Sequence, residues 1–568
     1  MSSETFRPDS GCPAGAQNQT DVFAVHGADP EVLAYAMAKY SRSALSMRES
    51  LAEISAQRAE QFLNTFYFQY GHRSIADLAH IAFAVERLSL LAAIVLVDEQ
   101  RWDGQERSTR YQNFMKSGWY FPGFGEDSAS AELYTNTVRG LFAAYDRTTA
   151  AVLDALRKRV ARPESMKPEA YERTLRARAF DVARYLLPLA TNTSLGQIVN
   201  ARTLETQVSR LLSHPMAEVR ELGAKLRDAA TGPAWNMNAA AGEAFVKKLE
   251  EFENAATIRY AGRVPGAGTV PGAGSGDLEA NAEEGHESSL AARAACLLTR
   301  EIRTAPTLVK YAVPNQYLVE TRKALEQAAG ELLAGVPIAP APLVDLVERT
   351  ETLEVELAAT LIYWASDHPY RQIRDIVAAL PGSRVLEIIE VGLRHRGRHD
   401  EALRVFHAGA ALRFDILMDI GGFRDMHRHR RATQVKQGFT AKLGYETPAA
   451  GDLGPEVNLL AEAGILADYQ ATVEAAHAAS ARIAAGPAPE AALSALYVLP
   501  LATRVRCLFK MDFAEAQYIS ELRSAPAGHF SYRRVAWEMY LALERQHPGL
   551  ARHVRATDFT QPIDLLQR

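Results

Sequence analysis

Between Ala131 and Val160, "AELYTNTVRGLFAAYDRTTAAVLDALRKRV" sets apolar side chains at intervals of three and four. That spacing gathers them on one stripe and predicts an amphipathic helix over 131–160. The run "LSLLAAIVLV" (88–97) is apolar all round, which reads as a buried helix and is too short to span a bilayer. Just before it, "HIAFAVERL" (80–88) alternates apolar and polar positions, the pattern of a strand in a small sheet. The segment 308–335 ends in a helical pattern with Gly335 placed to cap it. In "VNARTLETQVSRLLSHPMAEVREL" (199–222) the apolar spacing is again helical, and Arg202 lies among the apolar positions. Strand patterns are otherwise few. The pattern fails altogether over 260–287, where Gly, Pro, Ala and Ser dominate and no core is possible, so this is a linker or large surface loop.

The chain repeats itself. "LLPLATNTSLGQIVN" (186–200) matches "VLPLATRVRCLFKMD" (498–512), with Leu-Pro-Leu-Ala-Thr shared 312 positions apart. "GHRSIADLAHIAFAV" (71–85) aligns without gaps on "RHRGRHDEALRVFHA" (394–408), setting His72 on His395, Asp77 on Asp400 and Phe83 on Phe406. Residues 20–44 resemble 343–367. Three matches in one order predict two homologous halves, 20–250 and 341–568. A disordered tail (1–19) precedes them, and 251–340 joins them as linker and helices.

At 568 residues the chain exceeds one ordinary core. A net charge of −5 argues against general binding to nucleic acid, and no stretch suits a membrane span. The three cysteines, Cys12, Cys296 and Cys507, are scattered, and the polar N-terminus lacks an apolar signal core. Both fit a cytoplasmic protein. Against that acidic balance, "FRDMHRHRRATQVKQ" (423–437) crowds cationic and imidazole groups between Arg424 and Arg431. A solvated helix face, a metal site and a pocket for an anion are all open. His427 and His429 have no carboxylate or thiol cluster beside them, so metal is the weakest of the three. In the first half, "GQERSTRYQ" (104–112) offers Glu106, Ser108, Thr109 and Arg110: hydroxyl, amide and guanidinium donors for a phosphate, with a carboxylate for a sugar hydroxyl. The other reading is a polar loop with a local ion pair. Arg202, if buried, needs an anionic partner or ligand.

"GHRSIADLAHIAFAV", "QERSTRY", "LLPLATNTSLGQIVNARTLETQVSRLL" and "AEVREL" resemble the flavin-dependent thymidylate synthases. Their signature is R-H-R-x-x-S-x-N-E-x-S-x-R-Y, followed by a Leu-Pro-Leu segment and Asn-Ala-Arg. The resemblance implies an α+β fold, here as two predominantly helical halves, each with a small antiparallel sheet. It implies FAD as cofactor, dUMP as substrate, and methylenetetrahydrofolate and NADPH as co-substrates. The family's tetramer would here be a homodimer.

Each half keeps a different part of the signature. In the first, Gln105 stands for the Asn, followed by Glu106, Ser108, Arg110 and Tyr111, while Asp98, Glu99 and Gln100 occupy the R-H-R places. In the second, Arg428, His429 and Arg430 supply R-H-R and Thr433 stands for the Ser, but Val435, Lys436, Gly438 and Thr440 replace the rest. Arg202 has Ala514 as its counterpart. The resemblance thus implies one composite site, with FAD on Arg428, His429 and Arg430 and nucleotide on Gln105, Glu106, Ser108, Thr109, Arg110 and Arg202. Arg545 and Arg227 are the candidates for the arginine that polarises the uracil. A second register exists: the ungapped match, carried forward, sets Arg428 opposite Gln105. The lead-in "RDMHRHR" favours the first register, which needs about six more residues in the second half. A different pyrimidine nucleotide, or binding without catalysis, also fits the departures.

Overall fold

The computed structural model describes residues 29–39, 73–236, 238–261, 289–299, 301–397, 400, 402–448 and 457–566. The expected tail at 1–19, the Gly/Pro-rich stretch 262–287, and Gly71, His72 and His399 lie outside the described residues. The chain forms two compact units that cut across the repeat boundaries: 1–79 with 236–304, and 80–235 with 305–568. In the first unit the helix Pro30–Lys39 packs on a 3-10 turn at Arg73–Leu78, and the helix Ala239–Ala261 on the helix Leu290–Leu298. Glu253 accepts the backbone N–H of Leu290 at 2.7 Å, satisfying a donor at the start of that last helix.

The second unit carries two sheets of the same plan. In the first half, β1 (His80–Ser89) leads into the short helix α1 (Leu90–Leu96), then β2 (Asp103–Glu106). After α2 (Ser128–Arg159) and α3 (Pro168–Ala183) come β3 (Asn192–Asn200), α4 (Ala201–Leu212) and α5 (Ala217–Thr231). β3 lies between β1 and β2, antiparallel to both. The helix α6 (Gln316–Leu332) precedes the second half, where β4 (Val344–Leu346) is followed by α7 (Leu353–Trp364), α8 (Tyr370–Ala378) and α9 (Gly382–Leu393). Then follow β5 (Leu412–Asp419), α10 (Ile420–Met426) and β6 (Thr433–Lys436). The chain closes with α11 (Leu466–Ala484), β7 (Arg504–Met511), α12 (Phe513–Ser524) and α13 (Phe530–Gln546). The strand order β4-β5-β7-β6 repeats that of the first sheet with one strand added. The fold is α+β and mostly helical, with two small antiparallel sheets.

Most predicted elements stand where the pattern puts them. The helix read over 131–160 is α2, and the alternating segment 80–88 is β1. Ser89 caps α1 by accepting the Ala92 N–H at 2.9 Å, which starts the apolar helix inside the predicted run. Gly335 is not the cap of α6. That place belongs to Leu333, and Gly335, with a φ of 73°, turns the chain two residues later.

The ungapped match of 71–85 on 394–408 is not the structural one. Residues 404–406 form a 3-10 turn, whereas β1–α1 corresponds to β5–α10, with the caps Ser89 and Asp419 330 positions apart. β2 and β6 keep that same separation. Arg428, His429 and Arg430 therefore stand opposite Asp98, Glu99 and Gln100.

The two halves meet about an internal two-fold through their Leu-Pro-Leu segments. Pro188 bridges Pro500, its own counterpart. Around that bridge Leu189 N–H donates to Leu499 O at 2.8 Å and Leu501 N–H to Leu187 O at 3.0 Å. Ala190 N–H donates to Tyr497 O at 2.8 Å and Ala502 N–H to Tyr185 O at 3.0 Å. Each bond is the image of its pair. Proline suits the centre because it brings no N–H that would need a partner there, and the Pro188 and Pro500 carbonyls accept from Thr191 and Thr503.

Candidate functional site

The basic run is neither a helix nor a solvated face. α10 ends at Met426, and the chain from His427 onward is a turn held by Gln434 of β6, whose Nε2 donates to His429 O at 2.9 Å. His427 is buried against Phe423, and its Nε2 lies 3.2 Å from Asp98 of the first half. Burial would raise the Asp98 carboxyl, but Arg404 and His427 outweigh it and hold it well below its usual range. His429 turns the other way, toward α12. There Arg523 Nε donates to its Nε2 at 2.7 Å, and Glu515 stands 3.6 Å from Nδ1. Burial, with Arg523 and Arg430 beside it, pushes the His429 imidazole down to about 3, so the ring is neutral.

Arg428 and Arg430 share a cleft of about 440 Å³ with residues of the first half, namely His80, Gln100 to Asp103 and Ile198 to Asn200. The Arg430 guanidinium lies 4.4 Å over the Trp102 ring, and Trp102 is itself fixed by Nε1–H donating to Gln197 Oε1 at 2.7 Å. Arg430 Nε is buried without a hydrogen-bond partner. Burial and the neighbouring Arg428 charge lower the Arg430 pKa. Arg101 also lines the cleft, so three arginines share it with Asp103 as the one carboxylate in its wall, Arg428 and Arg430 coming from the second half. Such a pair suits a phosphate or diphosphate, which arginine grips with paired N–H donors. Among the described residues no group of His, Cys, Asp or Glu could hold a metal ion.

The predicted nucleotide residues lie beside this cleft but are tied up within the chain. Gln105 and Glu106 end β2, and the Glu106 carboxylate pairs with Arg424 of α10, in the other half. Both side chains are about nine-tenths buried, and Arg424 Nε has no further partner. Ser108 Oγ accepts the Arg110 N–H at 3.2 Å, and Arg184 reaches Thr109 Oγ1 at 3.4 Å. Arg110 makes a two-pronged contact with Asp181, at 2.8 and 3.3 Å, and donates to Tyr532 Oη at 3.0 Å and Ala527 O at 3.3 Å. Arg184 pairs with Asp425 at 3.4 Å. Glu106–Arg424 ties the end of β2 to α10, and Arg184, from the turn after α3, joins Thr109 of the loop after β2 to Asp425 of α10. The segments that carry the two halves of the signature are therefore in contact.

Arg202 is partly buried on the first turn of α4, directly after Asn200, which lines the cleft and caps α4 by accepting the Thr203 N–H at 2.8 Å. In the second half Lys436 takes the place of Glu106, and burial, offset in part by Asp98 and Cys507, lowers it to about 8. Neither proposed uracil-polarising arginine lines the cleft. Arg227 sits on α5 beside Asp228 at 3.5 Å, and Arg545 is exposed on the last turn of α13, next to the residue that bonds Leu346 O. Trp102, Arg424 and Asp181 were not legible as site residues. Trp102 adjoins the signature stretch, but nothing in the sequence joins Asp181 to Arg110, 71 positions away.

The profile of the "Thymidylate synthase complementing protein" family matches this chain twice, over residues 24–232 and 346–549. A UPF0159 protein of Chlamydia muridarum is 27% identical over 94% of this chain and 91% of its own length. A flavin-dependent thymidylate synthase of Clostridium tetani is 24% identical over 35% of this chain and 81% of its own. Among solved structures, thymidylate synthase X of Helicobacter pylori with FAD and dUMP aligns with 35% of this chain and 88% of that one. The identity there is 16% and the TM-score 0.24. The UMP/dUMP methylase PolB of Streptomyces cacaoi, bound with 5-Br UMP, aligns with 36% of this chain and 86% of that one, at 16% identity and a TM-score of 0.24. With its profile matched in both halves, the chain belongs to the thymidylate synthase complementing protein family, that of the flavin-dependent thymidylate synthases.

Proposed function

We propose that this chain is a flavin-dependent pyrimidine-nucleotide methyltransferase that converts dUMP to dTMP at one composite site. The observation that carries the reading is the cleft where Arg428 and Arg430 of one half face residues 100–103 and 198–200 of the other. The arginine pair, with the orphaned Arg430 Nε, fits the diphosphate of FAD. FAD would supply reducing equivalents, with methylenetetrahydrofolate as carbon donor and NADPH as reductant. The chain's own part is positioning and charge stabilisation. Arg428 and Arg430 hold phosphate, Trp102 keeps Arg430 flat against the cleft wall, and His429 braces the turn while it stays neutral. Glu106, Ser108, Arg110 and Arg202 would hold the nucleotide, and Arg545 and Arg227, distant from the cleft lining, are the weaker part of the proposal. The catalytic assembly would be a homodimer in the cytoplasm.

A second reading, methylation of another pyrimidine nucleotide or binding without catalysis, is favoured by one observation: Glu106 and Arg110 already have partners, in Arg424 and Asp181. Calorimetric titration of dUMP into the FAD-loaded protein separates the two. The proposal expects one dUMP per chain, lost in Glu106→Ala and Arg110→Ala and unchanged in Gly438→Ala and Thr440→Ala. Absence of dUMP binding with FAD retained would leave only the second reading.

A further inference from the structure

The turns after α1 and α10 are images of each other, and their side chains have taken opposite charges. Val97 caps the end of α1 and His427 the end of α10, 330 positions apart. After the first cap come Asp98, Glu99 and Gln100, and after the second Arg428, His429 and Arg430. Asp98 does not line the Arg428–Arg430 cleft. It crosses to the second half instead. Its Oδ1 accepts Arg404 Nη1–H at 2.5 Å and lies 3.2 Å from His427 Nε2, and its backbone carbonyl accepts Arg404 Nη2–H at 3.1 Å. Glu99 is used within its own half, by Arg210 of α4 at 2.7 and 2.9 Å.

On the far side of that contact, residues 427–430 alternate between two duties. His427 and His429 turn into the protein: His427 to Asp98 and to the Phe423 ring, 5.1 Å away between centroids, and His429 to Arg523. Gln434 Nε2 adds bonds to the His427 and His429 carbonyls at 3.4 and 2.9 Å. Arg428 and Arg430 are left to face the cleft. Like charges side by side repel, so a fixed backbone is what keeps both directed into one cleft. His427 immediately precedes Arg428, and Asp98 is the first-half group to which its side chain is bound. The image positions hold no such bond, because Val97 has no side-chain donor and Arg428 faces the cleft.

We infer that Asp98 is a positioning residue for the cofactor site: through His427 it fixes the turn from which Arg428 and Arg430 reach phosphate. The inference rests on the reading of that cleft as the FAD site. The acidic residue at the first R-H-R place of the first half is then a part of the one retained site rather than the trace of a lost one. It acts across the junction of the halves and touches no ligand. An arginine at position 98 would set a cation against Arg404 and offer His427 no acceptor.

The test is a double-mutant cycle on the full chain: Asp98→Ala, His427→Phe and the two together, each titrated with FAD by flavin fluorescence and each melted without it. Phenylalanine keeps a ring against Phe423 and removes the bond to Asp98. The inference expects each single variant to weaken FAD binding about three- to tenfold, the scale of one hydrogen bond to a part-exposed carboxylate. The double variant should lose no more than either single one, since both break the same contact. Asp98→Glu, which keeps the carboxylate, should bind FAD more tightly than Asp98→Ala. If Asp98→Ala does not fold, His427→Phe alone decides, by its FAD affinity. Losses that multiply in the double variant, or melts that fall while FAD affinity stays, overturn the inference and leave Asp98 a structural anion. Absence of FAD binding by the unmodified protein removes the reading of the cleft itself, and this inference with it.

Discussion

Replacing Arg430 by methionine should move two properties in opposite directions. The guanidinium is partly buried, has Arg428 beside it, lacks a partner at Nε, and lies 4.4 Å over Trp102. In the ligand-free protein the cation–π contact contributes about 0.5–2 kcal/mol. Against it stands the cost of a desolvated, incompletely bonded cation, about 1–3 kcal/mol. Methionine keeps apolar contact with Trp102 and removes the charge, so net stability should hold or rise by about 1 kcal/mol. With FAD the balance reverses, since each charge-assisted contact to phosphate is worth about 1.5–3 kcal/mol, or roughly 10- to 150-fold in affinity. The assay pairs a thermal melt without flavin with a flavin-fluorescence titration at two salt concentrations. The expected result is a midpoint unchanged or raised by about 1–2 °C and FAD affinity reduced at least tenfold, with a shallower salt dependence. A midpoint several degrees lower with unchanged FAD affinity would refute the reasoning, because Arg430 would then be a structural cation.

Other outcomes follow from the same structure. Glu106→Ala strands Arg424 as an unpaired buried charge and should cost about 3 kcal/mol, whereas the double variant Glu106→Ala, Arg424→Met should recover most of it; equal melts for the single and double variants would disprove the coupling. His429 and His214 both titrate at about 3 in the folded chain, against about 6.5 unfolded. Between those values the unfolded chain binds more protons, so stability is full above about pH 6.5 and is lost as pH falls toward 3, by up to about 4 kcal/mol for His429. Melts from pH 7 to pH 4 should show a smaller loss in His429→Gln, and an identical slope would count against that assignment. Mass measurement in solution should give a dimer of the 62.3 kDa chain, and a strict monomer would sink the two-chain assembly.

Legibility in the sequence followed how local the cause was. α1, α2 and β1 could be read because their burial is one-sided or complete over a continuous stretch. β5 and β7 could not, because both faces are covered and one carries charge. Asp415 pairs with Arg506 at 3.0 Å and Lys510 with Glu356 at 3.0 Å, so polar residues there do not mean solvent. The Arg-rich turn announced anion chemistry, yet only the fold shows that Arg428 and Arg430 face the other half while His429 faces its own. The ungapped match of 71–85 misled because similar residues recur in a segment that precedes the strand. The partners of Glu106 and Arg110 are set by tertiary contact, which spacing along the chain does not encode.

The bridge at Pro188 and Pro500 also dictates when this protein can finish folding. The Tyr185 and Leu187 carbonyls and the Leu189 and Ala190 amides find their partners in residues 497–502. At about 5–20 residues per second, a ribosome needs roughly 15–60 s to make the chain between them. Through that interval the first Leu-Pro-Leu segment, fully buried in the finished protein, waits with its apolar side chains and backbone groups unmatched. A newborn second chain on the same message offers an identical segment before the proper partner exists. Holding that edge covered during synthesis is a demand that the duplicated architecture places on the cell.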